Sequence, residues 1–196
     1  ASDHRPIVTD IVFKQPADKI FRTEPYLQNP VGNGVTVMWQ TTVPAYSWVE
    51  YGTDKDQLKK ARTIVDGQVI CNDLQNKIRL SDLEPGKTYY YRVCSQEIML
   101  YQAYKKIFGE TAVSVNIHVA GIFYIDFTAI IFNDLHKHSE TLQALYNQVK
   151  GVDYDFVIFN GDCIDDPANH DEATHFLSEL NETVGAADVP VFYLRG

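Results

Sequence analysis

Phe132-Asn133-Asp134-Leu135-His136 and, further on, Asn160-Gly161-Asp162 decide how this chain is read. Each follows an apolar run that stops abruptly. Thr128-Ala129-Ile130-Ile131-Phe132 leads into the first, and Asp155-Phe156-Val157-Ile158-Phe159 into the second. An apolar strand that ends in a carboxylate, twice in succession, is how an α/β protein sets charge at one edge of its sheet. Asp134 and His136 are two residues apart, and Asp162 follows 26 residues after His136. Side chains two apart in an extended segment share a side, so one carboxylate oxygen and one imidazole nitrogen can grip the same cation. A carboxylate on the neighbouring strand can bridge two ions roughly 3.5–4 Å apart. Mixed carboxylate and imidazole ligands suit zinc, manganese or iron better than calcium. Gly161 lets the backbone turn tightly beside them.

Outward from these strand ends the pattern alternates between strand and helix. A strand over 127–132 precedes Ser139–Val149, where Leu142, Leu145, Tyr146 and Val149 recur at helical spacing. Ser139 is placed to cap that helix and Gly151 to end it. A strand over 155–160, a loop with Pro167, a helix near 171–184 and a strand over Val191–Leu194 follow. Phe176, Leu177, Leu180 and Val184 form one face of the second helix. The order β-α-β-α-β predicts parallel strands with right-handed crossovers. Ligands collect at the carboxyl ends of such strands, here Asn133–His136, Gly161–Asp166 and Arg195-Gly196.

The first half of the chain reads differently. Val35-Thr36-Val37-Met38-Trp39-Gln40-Thr41 alternates, with Val35, Val37 and Trp39 on one face. Pro44 is expected to break it before the next strand, Ser47–Gly52. Arg62–Val65, Lys77–Leu80 and Thr88–Cys94 are further short strands, the last entered through the turn Leu83-Glu84-Pro85-Gly86-Lys87. Glu24–Pro30 is bracketed by prolines, which predicts an edge strand or a lead-in segment. Gly109 is expected to close this set. Short strands with frequent turn signals predict a β-sandwich. Residues 113–125 alternate and predict one more strand, with His118 a sheet residue.

Charge divides the chain in the same place. Of the 196 residues, 1–125 carry 13 acidic and 14 basic side chains, whereas 126–196 carry 13 acidic and 3 basic, Lys137, Lys150 and Arg195. The acidic half offers no nucleic-acid-binding surface, since phosphate contacts need Lys and Arg. It suits cations, or it is a solvated acidic surface. No run approaches the roughly 18 apolar residues that predict a membrane span. Cys71, Cys94 and Cys163 are too few for a disulfide framework. Cys71 and Cys94 are read as buried free thiols, with a bridge between them as the alternative. A start at Ala1-Ser2-Asp3 is compatible with a processed, exported form, periplasmic or at the cell surface.

Two resemblances follow from these residues. Leu83, Pro85, Gly86, Thr88, Tyr89, Tyr91 and Val93 resemble the corner between two strands of a fibronectin type III module, where a tyrosine hydroxyl ties back to the backbone. Trp39 resembles that module's core tryptophan. Asp134-Leu135-His136 and Gly161-Asp162-Cys163-Ile164-Asp165 resemble the first two motifs of the metallophosphoesterases, the calcineurin-like and purple-acid-phosphatase-like hydrolases. Arg195-Gly196 stand where the third motif would open. A leading fibronectin-type module also occurs in the purple-acid-phosphatase-like branch, although Asp165 stands where that branch has its tyrosine ligand.

The resemblance implies an all-β sandwich domain followed by the first half of an α/β (αββα, calcineurin-like) metallophosphoesterase domain. The expected limits are 1–23 for an N-terminal extension, 24–112 for the sandwich and 113–196 for the incomplete phosphoesterase part. It implies two metal ions (zinc, manganese or iron), with Asp134 and His136 holding the first and Asp162 bridging. Asn133, His138, Gly161 and Asp165 are the candidates for the surrounding positions. It implies hydrolysis of phosphate mono- or diesters by a two-metal-activated hydroxide, with the histidine that assists the leaving group beyond Gly196. No catalytic residue is therefore expected within the chain. The 196-residue chain alone is expected to be inactive, and to self-associate or to lack a C-terminal half that covers it. The competing readings are a non-catalytic surface or binding module, and a degenerate phosphoesterase that binds metal without turnover.

Overall fold

The computed structural model describes residues 19–114, 118–120, 127–165 and 168–195. In chain order their elements are β1 (Tyr26–Gln28), β2 (Val35–Gly52), β3 (Lys59–Ala61), β4 (Ile64–Val65), β5 (Gln68–Val69), β6 (Asp73–Leu80), β7 (Tyr89–Tyr101), β8 (Lys106–Val113), β9 (His118–Ala120), β10 (Ala129–Asn133), α1 (Ser139–Val149), β11 (Phe156–Asn160), α2 (His170–Val184) and β12 (Val191–Leu194). A strand-rich domain thus precedes a mixed α/β part. Residues 1–18, 115–117 and 121–126, together with Asp166, Pro167 and Gly196, lie outside the described residues. So do most of the N-terminal extension and much of the strand expected over 113–125.

The strand-rich domain is organised by β2, which runs for 18 residues. Its first half pairs antiparallel with β6 on one edge and with β1 on the other. Its second half, from Ala45 to Gly52, pairs with β7, and Val49–Tyr51 also pair with β3. Pro44 does not break the strand, contrary to expectation. The pairing with β6 jumps from Gln40 to Ala45, so a residue without an N–H sits where no ladder bond is required. Val35, Val37 and Trp39 are wholly buried, as their alternation predicts, and they share one core with Val49, Tyr51, Ile78, Leu80, Tyr91 and Val93. The Trp39 indole donates to Ser95 Oγ at 3.1 Å. At the predicted corner the Glu84 N–H donates to the Tyr89 hydroxyl at 2.9 Å. Gly109 lies inside β8 rather than at the end of the set. A Cβ there would stand 3.2 Å from that of Glu97, beside the register shift between Gln96 and Ile98. The segment His118–Ala120 pairs with β7, on the strand-rich side.

In the α/β part β10, β11 and β12 are parallel and adjacent in that order, as the alternation of strand and helix predicts. Their core contains Phe132, Val157, Phe159 and Val191 with Leu142, Leu180 and Val184 from the helices. The rings of Phe132, Phe159 and Tyr193 stack in series at 6.0 and 5.0 Å. Helix α1 departs from expectation at both of its ends and on its face. His138, not Ser139, is its N-cap, and it offers no side-chain bond; Lys150 is the C-cap, one residue before Gly151. Leu145 is exposed while Leu142 is wholly buried. Helix α2 is capped by Asn169, whose side chain accepts from the Glu172 N–H, and it ends at Gly185 with φ +68°, a conformation glycine adopts without penalty. No helix among the described residues is long and apolar enough to cross a membrane. The three cysteines are free thiols; Cys94 and Cys163 are buried, but Cys71 is only partly so, short of the expected burial.

The two parts meet at β1. This three-residue strand pairs antiparallel with β2 and, at Gln28, parallel with Val191 of β12. It is therefore a central strand, not an edge strand. Pro25 and Pro30 flank the three paired residues and take no ladder position, which is why the prolines do not exclude pairing on both sides. The Leu27 N–H donates to the Ala186 carbonyl at 2.8 Å, and its side chain is wholly buried. The Tyr91 hydroxyl donates to the neighbouring Ala187 carbonyl. Burial pushes the Tyr91 pKa well above the usual tyrosine value, so this hydroxyl remains a donor at any ordinary pH. Replacing Tyr91 with phenylalanine leaves the Ala187 carbonyl without that donor, and we expect a loss of about 1–2 kcal/mol in urea unfolding. Tyr89→Phe removes a bond within one corner and is expected to cost no more than that. Equal midpoints for Tyr91→Phe and the parent would show that the contact between the two parts carries no stability.

Candidate metal centre

β10 and β11 end level with one another, at Asn133 and Asn160. The two side chains meet there, Asn160 Nδ2 donating to Asn133 Oδ1 at 2.7 Å. Beyond this pair both chains leave their strands through left-handed backbone. The φ angles are +49° at Asp134, +41° at His136, +63° at Lys137, +76° at Gly161 and +35° at Asp162. Of the eight non-glycine residues with positive φ among those described, four lie here. The left-handed region costs an L residue roughly 1–2 kcal/mol, and such strain persists only where the surroundings over-determine it.

Three backbone hydrogen bonds do so. The His136 N–H donates to the Asp162 carbonyl at 2.9 Å, the Lys137 N–H to the Cys163 carbonyl at 3.4 Å, and the Gly161 N–H to the Leu194 carbonyl at 3.2 Å. They lace the loops after β10 and β11 together and bring the end of β12 alongside. Asp134 and His136 are consequently not on an extended segment, as the spacing predicts. A left-handed turn brings them together instead.

Ligand atoms of Asp134, His136 and Asp162 all lie within 4.8 Å of one another, and all three residues are exposed. His136 Nδ1 stands 3.0 Å from Asp165 Oδ1. A carboxylate on one ring nitrogen fixes the ring and leaves Nε2 for a cation, the usual arrangement around a metal-bound imidazole. The hydrogen bond to Asp165, helped by the nearby charges of Asp165, Asp162 and Asp134, raises the His136 pKa above the ordinary histidine value. The same bond lowers that of Asp165, with the charges of Lys137 and His136 assisting. The second Asp165 oxygen is 3.6 Å from Lys137 Nζ, and Lys137 also bonds to Glu172 Oε1.

Of the remaining candidates, His138 is the N-cap of α1. Cys163 is buried, its thiol 3.4 Å from the Gly161 carbonyl. Burial, reinforced by the charges of Asp162 and Asp134, pushes its pKa to about 11, so it is a thiol and not a nucleophilic thiolate. Sequence reasoning missed Asn160, Lys137 and Glu172. The asparagine pair was legible in principle, since each is the last residue of one of two adjacent parallel strands. Lys137 and Glu172 carry no local signal, because 35 residues separate them.

The donor set fits a cation. Two carboxylates and an imidazole converge from solvent-facing loops, and the imidazole's far nitrogen is already held. Two stretches of the chain match known protein domains. Residues 24–105 match the purple acid phosphatase N-terminal domain, and residues 127–196 match the calcineurin-like phosphoesterase domain. Among solved structures, a purple acid phosphatase from yellow lupin (Lupinus luteus) seeds superposes with a TM-score of 0.61 at 16% identity, over 88% of this chain and 34% of that one. PhoD superposes with a TM-score of 0.57 at 12% identity, over 98% of this chain and 40% of its own. This chain thus spans between a third and two fifths of the length of those two proteins. No curated protein matches it.

The His136–Asp165 pair makes a direct prediction for the metal-free chain. Followed by NMR through the ring protons, His136 is expected to titrate above an ordinary histidine. Asp165→Asn removes the acceptor charge and is expected to bring that midpoint down. An unchanged midpoint would place the cause of the shift elsewhere.

Proposed function

We propose that Asp134, His136 and Asp162 ligate metal and that the protein hydrolyses phosphate mono- or diesters, a reading supported by the match of residues 127–196 to the calcineurin-like phosphoesterase domain and of residues 24–105 to the purple acid phosphatase N-terminal domain. The observation that carries this reading is the convergence of three ligand atoms within 4.8 Å, at the carboxyl ends of parallel strands, inside the stretch that matches the phosphoesterases. Asp162, with two oxygens, is the residue suited to bridge a second ion. Zinc, manganese and iron fit the donor set. When bound, such ions supply Lewis-acid charge and acidify water near neutral pH.

The chain's own residues supply position. Asp165 holds the His136 ring with Nε2 directed away from it. The backbone bonds between the two loops hold Asp134 and Asp162 on either side. The exposure of all three ligands leaves the approach to a phosphate ester open. The acidic surroundings repel an anionic substrate, so the cation charge is required for binding as well as for reaction. Ahead of this centre, the corner bond at Tyr89 and the buried Trp39 support reading the strand-rich domain as fibronectin type III-like.

Calorimetric titration of the chain with Mn2+ or Zn2+ tests the centre. We expect saturable binding that weakens as pH falls through the raised His136 pKa, because the proton and the cation compete for the ring. Asp162→Asn is expected to reduce affinity by at least about tenfold, as loss of a carboxylate near a metal does. The full-length protein, loaded with either ion, is expected to turn over p-nitrophenyl phosphate or its bis ester. A folded protein that binds neither ion, or that binds them and turns over neither ester, would overturn the corresponding half of the reading.

A further inference from the structure

Lys137 is one of only three basic residues in the 71 residues from 126 to 196, and its surroundings are specific. Its Nζ bonds to Glu172 Oε1 in the first turn of α2. It stands 3.6 Å from Asp165 Oδ2 and 5.7 Å from the centre of the Phe176 ring, one turn further along the same helix. Only 23% of its side chain is exposed, which is unusual for lysine. Its backbone is held at φ +63°, where a lysine has no local reason to be. The carboxylate it touches is the one whose other oxygen holds His136 Nδ1 at 3.0 Å. Glu172, Lys137, Asp165 and His136 therefore form a continuous series of polar contacts, with the two acids alternating with the two bases.

Helix α2 is in turn held at both ends by the strand-rich domain. Near its start, Arg22 pairs with Asp171, and Thr174 Oγ1 donates to Gln40 Oε1 at 3.3 Å. Just past its end, Ala186 and Ala187 accept from Leu27 and Tyr91. Helix position is thus fixed by contacts that lie outside the metal centre.

We propose that Lys137 is a positioning residue: it ties α2 to His136 through Asp165, so that the helix held by the strand-rich domain sets the orientation of the imidazole. Lys137 touches neither the cation nor the substrate in this arrangement. It neutralises Asp165 on the side away from His136 and so keeps that carboxylate turned toward Nδ1. Without it, Asp165 is free to rotate toward solvent. The His136 ring then loses its fixed tautomer and shifts toward the Nε2–H form, which has no lone pair to give at Nε2. The inference rests on the reading of His136 as a ligand for its consequence, but not for its first observable.

The test compares Lys137→Met, Lys137→Arg and Glu172→Gln in the full chain. Nitrogen-15 NMR of the His136 ring, in metal-free protein, reads which nitrogen carries the proton. Titration with Zn2+ reads affinity. We expect the parent to hold the proton on Nδ1, Lys137→Met to shift it toward Nε2 and weaken Zn2+ binding by about tenfold, the lower end of what loss of an outer partner does, and Lys137→Arg to restore both. Glu172→Gln, which leaves the lysine charge in place, is expected to fall between them and guards against a Lys137→Met chain that does not fold. A ring signal in Lys137→Met and Glu172→Gln identical to that of the parent would overturn the proposal. If the ring signal shifts while the parent binds no Zn2+, the positioning contact stands and the metal reading fails. If Zn2+ binds equally to all four proteins and the ring signal does not change, the metal reading stands and the positioning role fails.

Discussion

The three residues of β1 carry the hydrogen bonds on which the arrangement of the whole chain depends. Tyr26, Leu27 and Gln28 complete the ladder of β2 on one side, and Gln28 reaches β12 on the other. Leu27 adds a bond to the Ala186 carbonyl. A three-residue strand alone has negligible stability, since it fixes backbone entropy for very few bonds. It is held by the pairing it makes with β2 on one side and β12 on the other. The consequence is one hydrogen-bonded sheet that runs from β10 through β12 and β1 to β2, β7 and β8. The strand-rich domain and the α/β part are therefore not two beads on a linker. Displacement of the α/β part would strip one edge of β1 and leave the Leu27 N–H without its acceptor.

Strain is concentrated where chemistry is expected, and the structure shows what retains it. Asp134, His136, Lys137 and Asp162 are all left-handed. Asp and His are enriched in that region, but lysine is not, so local preference does not account for the whole run. The bonds from His136 to Asp162 and from Lys137 to Cys163 run between the two loops, so each loop holds the other in a conformation neither would adopt alone. Cys163 and Leu135, buried beneath, anchor the loops to the core formed by Phe132, Phe159 and Leu142. The exposed side chains of Asp134, His136 and Asp162 thus stand on a buried apolar base.

The parallel strands and the second helix were legible in the sequence because their signals are local. Apolar runs such as Phe156–Phe159 and the 3.6-residue spacing of Leu177, Leu180 and Val184 each act within a few residues. Pro44 and the prolines around β1 misled because a proline excludes a ladder bond, not a strand. Whether a bond is required at that position depends on partners far along the chain, such as Asp73 opposite Ala45. The proximity of Asp134, His136 and Asp162 was legible from spacing, but the geometric reason for it was not. The extended-strand argument put Asp134 and His136 on one side, whereas the observed turn does so by reversing φ at both. Leu145 failed as a core residue for a related reason. It lies on the periodic face, but the buried stripe is centred on Leu142, with Tyr146 and Val149 packed beside it.

Electrostatics gives the same centre a second constraint. Asp134, Asp162 and Asp165 crowd together in a half of the chain that has 13 acidic and 3 basic residues. Like charges this close oppose the fold that assembles them. In the metal-free chain the offset comes from two groups, Lys137 beside Asp165 and the His136 ring, whose affinity for a proton is raised first by its hydrogen bond to Asp165 and then by the surrounding negative charge. A cation bound by Asp134, His136 and Asp162 would take over that role and release the proton. Lys137 cannot be replaced in this way, because it lies on the far side of Asp165 from the ligand atoms. In the proposed centre the lysine, and the helix to which it is tied, would keep their place whether His136 carried a proton or a cation. This also accounts for a basic side chain kept largely out of solvent amid acids, at a backbone angle lysine does not favour.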